Sequence, residues 1–474
     1  MKSIVKKIGK LLLFAAPYLI GFAGFLLAGE PLLHAAFSAF SLYTMGYGDV
    51  PPNVLLEIAR WIGPLVTASS ILLVFAALRH RVQAFFTYLR GNSTAVYGPE
   101  KEKKELLKQL GTQGIEGKDK FLKARRYILV GSEEENLTFY HKNMDSLKNA
   151  EVYLKCTSIP AQASMNSNLH LFCPEETAAR LFWKENCLYS LCSQRYHKLR
   201  VVMLGFGKLG HELITSALQN NIFFPDQYIE YHIFGDDGSY AATHTQLKMI
   251  SDPVFFHSEP WYENLDVVKA ADMTIVLEQT NQLPLLQQLL FTTLSKNIHV
   301  FSAGSYGVEV LSEHDRLICH DWMADSAKLE NIIGATLFER AKRINLRYAH
   351  LYTGVEETDE NKEAEWASLN AFTRYSNIGS ADYHEIQRKF LSLEGVYSDG
   401  GNVPDGWLET LAELEHLRWT RYHFLNNWRY APPVNGKNKD AVRRTHALLV
   451  DYKELPNTEK EKDRENIRIL FSIN

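Results

Sequence analysis

A chain of 474 residues has room for about three folded units, and 46% apolar with 22% charged residues excludes long disorder. A net charge of −4 gives no electrostatic reason to expect a nucleic-acid partner. That average conceals an asymmetry, since the sustained hydrophobicity lies in the first 80 residues and most of the charge follows them.

No charged residue falls between Leu11 and Ala28 or between Trp61 and Leu78. Each run is about 18 residues, near the lower limit for crossing a bilayer core. The first is too long for a signal-peptide core, and no small-residue cleavage site ends it. Lys2, Lys6, Lys7 and Lys10 precede the first run, and Arg79, His80 and Arg81 follow the second, with Arg60 the single basic residue of the acidic stretch between. The positive-inside rule then predicts a multi-pass protein of the cell membrane, lipid around it and both termini cytoplasmic. All 5 cysteines would face a reducing compartment, so no disulfide is expected. None has zinc-ligand spacing, and no structural metal site is expected.

Pro31 to Tyr43 is apolar and too short to span, the pattern of a re-entrant helix that Pro31 is suited to open. Thr44-Met45-Gly46-Tyr47-Gly48-Asp49 follows. Backbone carbonyls can replace the hydration shell of an ion, and some residues must take left-handed angles to aim them, hence glycine at 46 and 48. Such backbone is tolerated at membrane depth only inside protein or along water. Residues 1–87 resemble the pore of two-helix potassium channels, whose filter usually reads T-V-G-Y-G; here Met45 replaces valine. The resemblance implies a homotetramer with potassium ions held mainly by the carbonyls of Thr44, Met45, Gly46 and Tyr47. Gly63-Pro64 reads either as a gating hinge or as a tolerated bend.

Residues 88–123, with the charge run Glu100–Lys104, read as a solvated linker. Strand-like Tyr127–Val130 and Val152–Cys156 alternate with helical segments, giving an α/β lobe over 124–198. Its Gly131-Ser-Glu-Glu-Glu135 turn is acidic and would repel a phosphate, so the lobe reads as degenerate for nucleotides.

Arg200–Leu204 is a buried-strand pattern leading into Gly205-Phe-Gly207-Lys-Leu-Gly210 and a helical run. A G-x-G-x-x-G between strand and helix is the dinucleotide fingerprint: one glycine turns, one admits a pyrophosphate, one lets helix and strand close. Asp236 ends the next strand, where a carboxylate can bind ribose hydroxyls, though farther along than the usual spacing. These glycines serve either a ligand or only the sheet. Further strands at Tyr228–Phe234, Val254–His257, Met273–Leu277 and His299–Ser302 predict a doubly wound sheet within 199–350. The segment resembles the RCK domain, the Rossmann-type cytoplasmic regulator of potassium channels, which implies a ring that pulls on the pore.

Residues 351–403 read as a helical connector, with Glu356–Glu365 as an acidic loop. Over 404–474 stand Leu414-Glu-His416-Leu-Arg418-Trp419, Trp428-Arg-Tyr430, Leu449-Val-Asp-Tyr452 and Lys460-Glu-Lys-Asp463-Arg464. This series resembles the RyR domain, a small helical module. Trp419 and Trp428 are candidates for stacking on a base, and Arg443, Arg444, His446, Lys460 and Arg464 for pairing with phosphates. Packing of both tryptophans in the core is the competing reading.

The expected fold is thus a membrane α-helical pore, a cytoplasmic α/β doubly wound Rossmann-like region and a small mainly α C-terminal domain. The expected function is a potassium-selective channel, not an enzyme, gated by a NAD-, ADP-ribose- or cyclic-nucleotide-like ligand at the RyR-like or RCK-like region. The alternative is a membrane-tethered nucleotide-binding oxidoreductase or regulatory protein.

Overall fold

The computed structural model describes all residues except 1, 47–48, 119, 159–167, 237, 279, 281, 296, 303–314, 334, 398–400 and 474, and leaves aside the side chains of 2–13, 73, 76–78, 80 and 335–337. It divides into one unit of residues 1–93 with 122–124 and another of 94–121 with 125–474.

In the first unit, α1 (Lys2–Leu27) and α3 (Val54–Leu89) pack on each other and on a 3₁₀ turn, Leu42–Thr44, that continues α2 (Leu32–Ser41). Small residues allow this closeness. A Cβ on Gly21 would lie 2.5 Å from the Leu42 side chain, and one on Gly63 would lie 2.8 Å from the Leu42 carbonyl oxygen. Asn53 caps α3 by accepting from Leu56 N at 3.0 Å, and its amide donates to Gly24 O of α1 at 2.8 Å. α3 runs unbroken through Pro64, so the glycine beside it has a packing role. Among the described residues one stretch, Val54–Leu72, is long and apolar enough to cross a membrane; Phe14–Leu27 and Leu32–Thr44 are apolar but shorter. A pair of spans is therefore not shown, and Leu11–Leu13 of the first expected span lie outside the described side chains.

The second unit contains two parallel sheets. The first has the order β2 (Gly114–Glu116), β1 (Thr94–Tyr97), β3 (Arg126–Leu129), β4 (Glu151–Lys155), β5 (Leu169–Phe172). It corrects the sequence reading of 88–123 as a linker, because β1, β2 and α4 (Glu100–Leu110) belong to the folded lobe. Most of the charge run that suggested a linker faces solvent on α4, but Lys103 is buried with Leu106 and Leu110 and pairs with Glu100 at 2.7 Å and Glu116 at 3.2 Å. In the acidic turn, Ser132 and Glu135 form a capping box at the start of α5 (Glu133–Leu147). The Glu133 carboxylate accepts from Thr157 N at 3.1 Å and Ser158 N at 3.1 Å, so acid here caps backbone.

The second sheet follows the order β11 (Leu317–Asp321), β10 (Ile298–Ser302), β9 (Met273–Val276), β6 (Lys198–Leu204), β7 (Tyr228–Phe234), β8 (Val254–His257). With β6 as first strand this is the doubly wound Rossmann order, reversing between β6 and β9. α8 (Gly207–Asn220) follows β6, and α6 (Pro174–Glu185) packs beside it.

The stretch Glu356–Glu365, read as a loop, holds the helix Asp359–Ser368, which Thr358 caps by accepting from Asn361 N at 3.2 Å. The helices Ala371–Leu393, Leu408–Leu425 and Asn457–Ser472 complete the chain, with the short strands β12 (Arg429–Tyr430), β13 (Lys439–Asp440) and β14 (Thr445–His446). They do not form a separate core. One apolar cluster runs from Trp183 and Leu213 through Ile386 and Phe390 to Leu414, Trp428 and Ile467.

Buried charge crosses the same seam. Arg421, 1% exposed, donates from Nη1 to Asp252 Oδ2 at 2.7 Å and from Nη2 to Ser251 Oγ at 3.0 Å. Arg180 is bound to Asp382 by two bonds of 2.6 and 3.0 Å. Removing one partner leaves the other charge buried and unpaired. Arg421→Ala is expected to lower stability by about 3–5 kcal/mol, read as an earlier thermal melt of the full chain; an unchanged melt would show that the pair does not fasten the seam.

Candidate functional site

Where the sheet order reverses, the three glycines take three different roles. Gly205 has φ +82° and is pressed so closely on the β9 loop that a Cβ would lie 2.6 Å from Glu278 N. Gly207 has φ +57° and faces open space, with nothing within 4 Å of a Cβ. Gly210 packs on Phe206, whose ring a Cβ would meet at 2.4 Å. Asp236, just past β7, has both carboxylate oxygens buried without a hydrogen-bond partner among the described residues. An open cradle at a helix N-terminus and an unpartnered carboxylate fit a pyrophosphate and ribose hydroxyls. Gly205, Gly207, Gly210 and Asp236 would hold such a group.

In the helical unit, Thr44 donates its hydroxyl to Ser41 O at 3.0 Å, and Gly46 N donates to the same oxygen at 2.8 Å. The left-handed angle falls on Met45 (φ 64°, ψ 14°) and not on Gly46, against the sequence argument. Glycine is required at 46 for space, since a Cβ would lie 2.9 Å from that of Ser41. Tyr47 and Gly48 lie outside the described residues.

A cavity of about 550 Å³ opens elsewhere in the second unit, among α6, α8, the Ala371–Leu393 helix and the loops after Leu425. α8 turns its apolar side to the sheet, so Lys208, Glu212, Ser216 and Asn220, one turn apart, form a polar wall. Lys208 Nζ pairs with Glu212 at 2.7 Å, and Tyr375 donates its hydroxyl to Glu176 at 2.9 Å. Burial and the neighbouring Glu212 carboxylate raise the Glu176 carboxyl to about 7, against the pull of Arg180.

Residues 405–472, which close one end of this cavity, match the family model of the RyR domain. They form an RyR domain. No curated protein matches the chain. Among solved structures the chain is similar to a D-lactate dehydrogenase from Treponema pallidum, at 9% identity and TM-score 0.21, covering 64% of this chain and 97% of that one. A likeness at that score carries no argument about activity, and the expectation that the chain is not an enzyme is left without support.

Of the seven residues assigned to a ligand in the RyR domain, only Trp428 and Arg444 line the cavity. Trp428 is 4% exposed and belongs to the core, with Lys439 Nζ 5.2 Å from its ring centre. Trp419 packs among His416, His423 and His446. Both tryptophans make packing contacts, and of the two Trp428 lines the cavity. Burial pushes His446 down to about 4, so it is neutral at pH 7 and brings no charge to a phosphate. Arg464 is held by Glu409 at 2.7 Å and Glu461 at 2.9 Å, Lys460 lies over the Tyr452 ring, and Arg443 is exposed beside Asp440. Sequence reading missed Glu176, Arg180, Lys208, Glu212 and Asn220. The available signal was the one-turn spacing of polar groups on α8, which looks like an ordinary solvated face.

A carboxyl whose folded pKa is raised keeps its proton longer in the folded state. Its stabilising effect is present below the ordinary value of 4.5 and is lost as pH rises through about 7. Glu212 and Lys208 on α8, Arg180 on α6, and Tyr375 and Asp382 on the facing helix surround the group. Glu176→Gln, neutral throughout, is expected to gain on the order of 1–2 kcal/mol over wild type at pH 8 and little at pH 4. Thermal melts across that range check this, and a gain independent of pH would contradict it.

Proposed function

We propose that the chain is one subunit of a homotetrameric, potassium-selective channel of the cell membrane, with its soluble part in the cytoplasm and gated by a nucleotide-type ligand. The observation that carries this reading is the order of elements around Thr44-Met45-Gly46: a short apolar helix opened at Pro31, a 3₁₀ turn, and left-handed backbone, all packed against α1 and α3. Backbone in such a segment can offer carbonyl oxygens to potassium in place of water. The apolar outer surface agrees with a lipid or subunit environment, since Leu19, Leu65, Leu72 and Phe75 are exposed on the unit. The second unit supplies a Rossmann-type sheet, the counterpart of the RCK-like region, with a ligand-competent glycine turn and an RyR domain. The chain passes from α3 to β1 within residues 90–93, a covalent route from soluble part to helix.

The energetics are modest. Ligand moves a closed–open equilibrium only by its differential affinity. Going from about 1% to 99% open takes roughly 5.5 kcal/mol, under about 1.5 for each of four equivalent sites.

Purified protein in liposomes is expected to pass potassium in preference to sodium. Gly46→Ala sets a Cβ against Ser41 and is expected to cut the discrimination about tenfold, or ~1.4 kcal/mol. Flux without ion preference in the wild type would refute the channel reading.

A further inference from the structure

Three features of the cavity beside the RyR domain point to a ligand. Its volume, about 550 Å³, is that of a small-molecule site. Its inner charges are already matched: Arg180 is bound to Asp382 at 2.6 Å and Lys208 to Glu212 at 2.7 Å. Lys439 and Arg444, both exposed on the RyR side, have no carboxylate partner among the described residues. Arg444 Nη1 donates to Asn426 O at 3.2 Å, which fixes the guanidinium while leaving its other donors. An anion can therefore enter at these two cations without breaking an ion pair.

The third feature is an unmet hydrogen bond. Asn220 is 4% exposed and lines the cavity; its amide nitrogen donates to Ser216 Oγ at 3.0 Å, but its Oδ1 is buried without a partner among the described residues. An acceptor of this kind on a cavity wall can take a donor from a bound molecule. Glu176 and Glu212 add acceptors on the same walls. A row of acceptors deep inside and cations at one end suit a molecule with several hydroxyls and a terminal phosphate. The nucleobase is left to the apolar side at Ile378, since Lys439 Nζ lies over the Phe372 ring, 5.5 Å from its centre.

We propose that this cavity binds a phosphate-bearing ribosyl ligand of the nucleotide class, with the phosphate at Lys439 and Arg444 and the sugar hydroxyls at Asn220, Glu212 and Glu176. The site is distinct from the glycine turn, because none of Gly205, Gly207, Gly210 or Asp236 lines it. It deepens the gating part of the channel reading and rests on that reading for its consequence. The site itself stands or falls on binding alone.

The test is calorimetric titration of the full chain in detergent with ADP-ribose, cyclic AMP, ribose 5-phosphate and inorganic phosphate, with thermal melts showing which variants fold. At least one ribosyl compound is expected to bind tighter than inorganic phosphate. Lys439→Glu with Arg444→Glu is expected to weaken it at least tenfold, and Asn220→Leu to weaken it without abolishing it. Because Asn220 is buried, Lys439→Glu and Arg444→Glu, both at the surface, decide the case if the Asn220 variant does not fold. Gly207→Val should leave this binding in place. The proposal is overturned if no ribosyl compound binds, if inorganic phosphate binds as tightly, or if the charge reversals do nothing. Loss of binding in Gly207→Val alone would also overturn it, since the ligand then sits at the glycine turn. Failure of potassium flux with binding retained would count against the channel reading and not against the site.

Discussion

Asp252 is the point on which the C-terminal half of the second unit hangs. Its Oδ1 accepts from Ile229 N at 2.8 Å in β7, and its Oδ2 accepts from Gln227 Nε2 and Arg421 Nη1, each at 2.7 Å. One fully buried carboxylate thus fixes the start of a central strand and the main helix of the RyR domain together. A charge in such a place is tolerated only with its partners, so helix Leu408–Leu425 has one acceptable position on the sheet. One turn away, Glu415 and Arg418 of the same helix, bound at 2.8 Å and both 1% exposed, form a second buried pair, and Glu415 accepts from Ser380 Oγ of the Ala371–Leu393 helix at 3.0 Å. The apolar cluster that spans the seam then fills the space these pairs define.

Much of the second sheet was legible because parallel strands buried on both faces are written as apolar runs, as in Arg200–Leu204. The glycine turn was equally legible, since its spacing encodes backbone geometry directly. Less visible were elements whose outer faces are heavily charged. α4 and the Asp359–Ser368 helix each have a narrow buried stripe that includes a lysine, Lys103 in one and Lys362 in the other, and Trp366 is the main apolar cue in the latter. The cavity could not be read at all. Glu176, Lys208, Tyr375 and Lys439 meet only because separate elements pack together, and spacing along the chain carries no trace of that. The aromatic and basic series of the RyR domain was recognisable for a related reason: its tryptophans and histidines build a core, and core residues give a family its pattern.

The helical unit works by the opposite device, closeness without charge. Gly21, Gly24 and Gly63 let neighbouring segments approach until a single methyl would collide, and Asn53 joins α1 to the start of α3 by hydrogen bonds at both ends of its amide. Such contact and a satisfied amide are sources of order that need no buried charge.

The buried arginines also bear on how this architecture could be inherited. An RyR domain moved to another scaffold would carry Arg421 with it, 1% exposed here and matched to a carboxylate 169 positions earlier in the chain. Unless the recipient offered an acid at the corresponding place, the graft would expose or strand a guanidinium. The domain and its sheet are therefore expected to travel through evolution as a pair, with changes at 252 and 421 coming together.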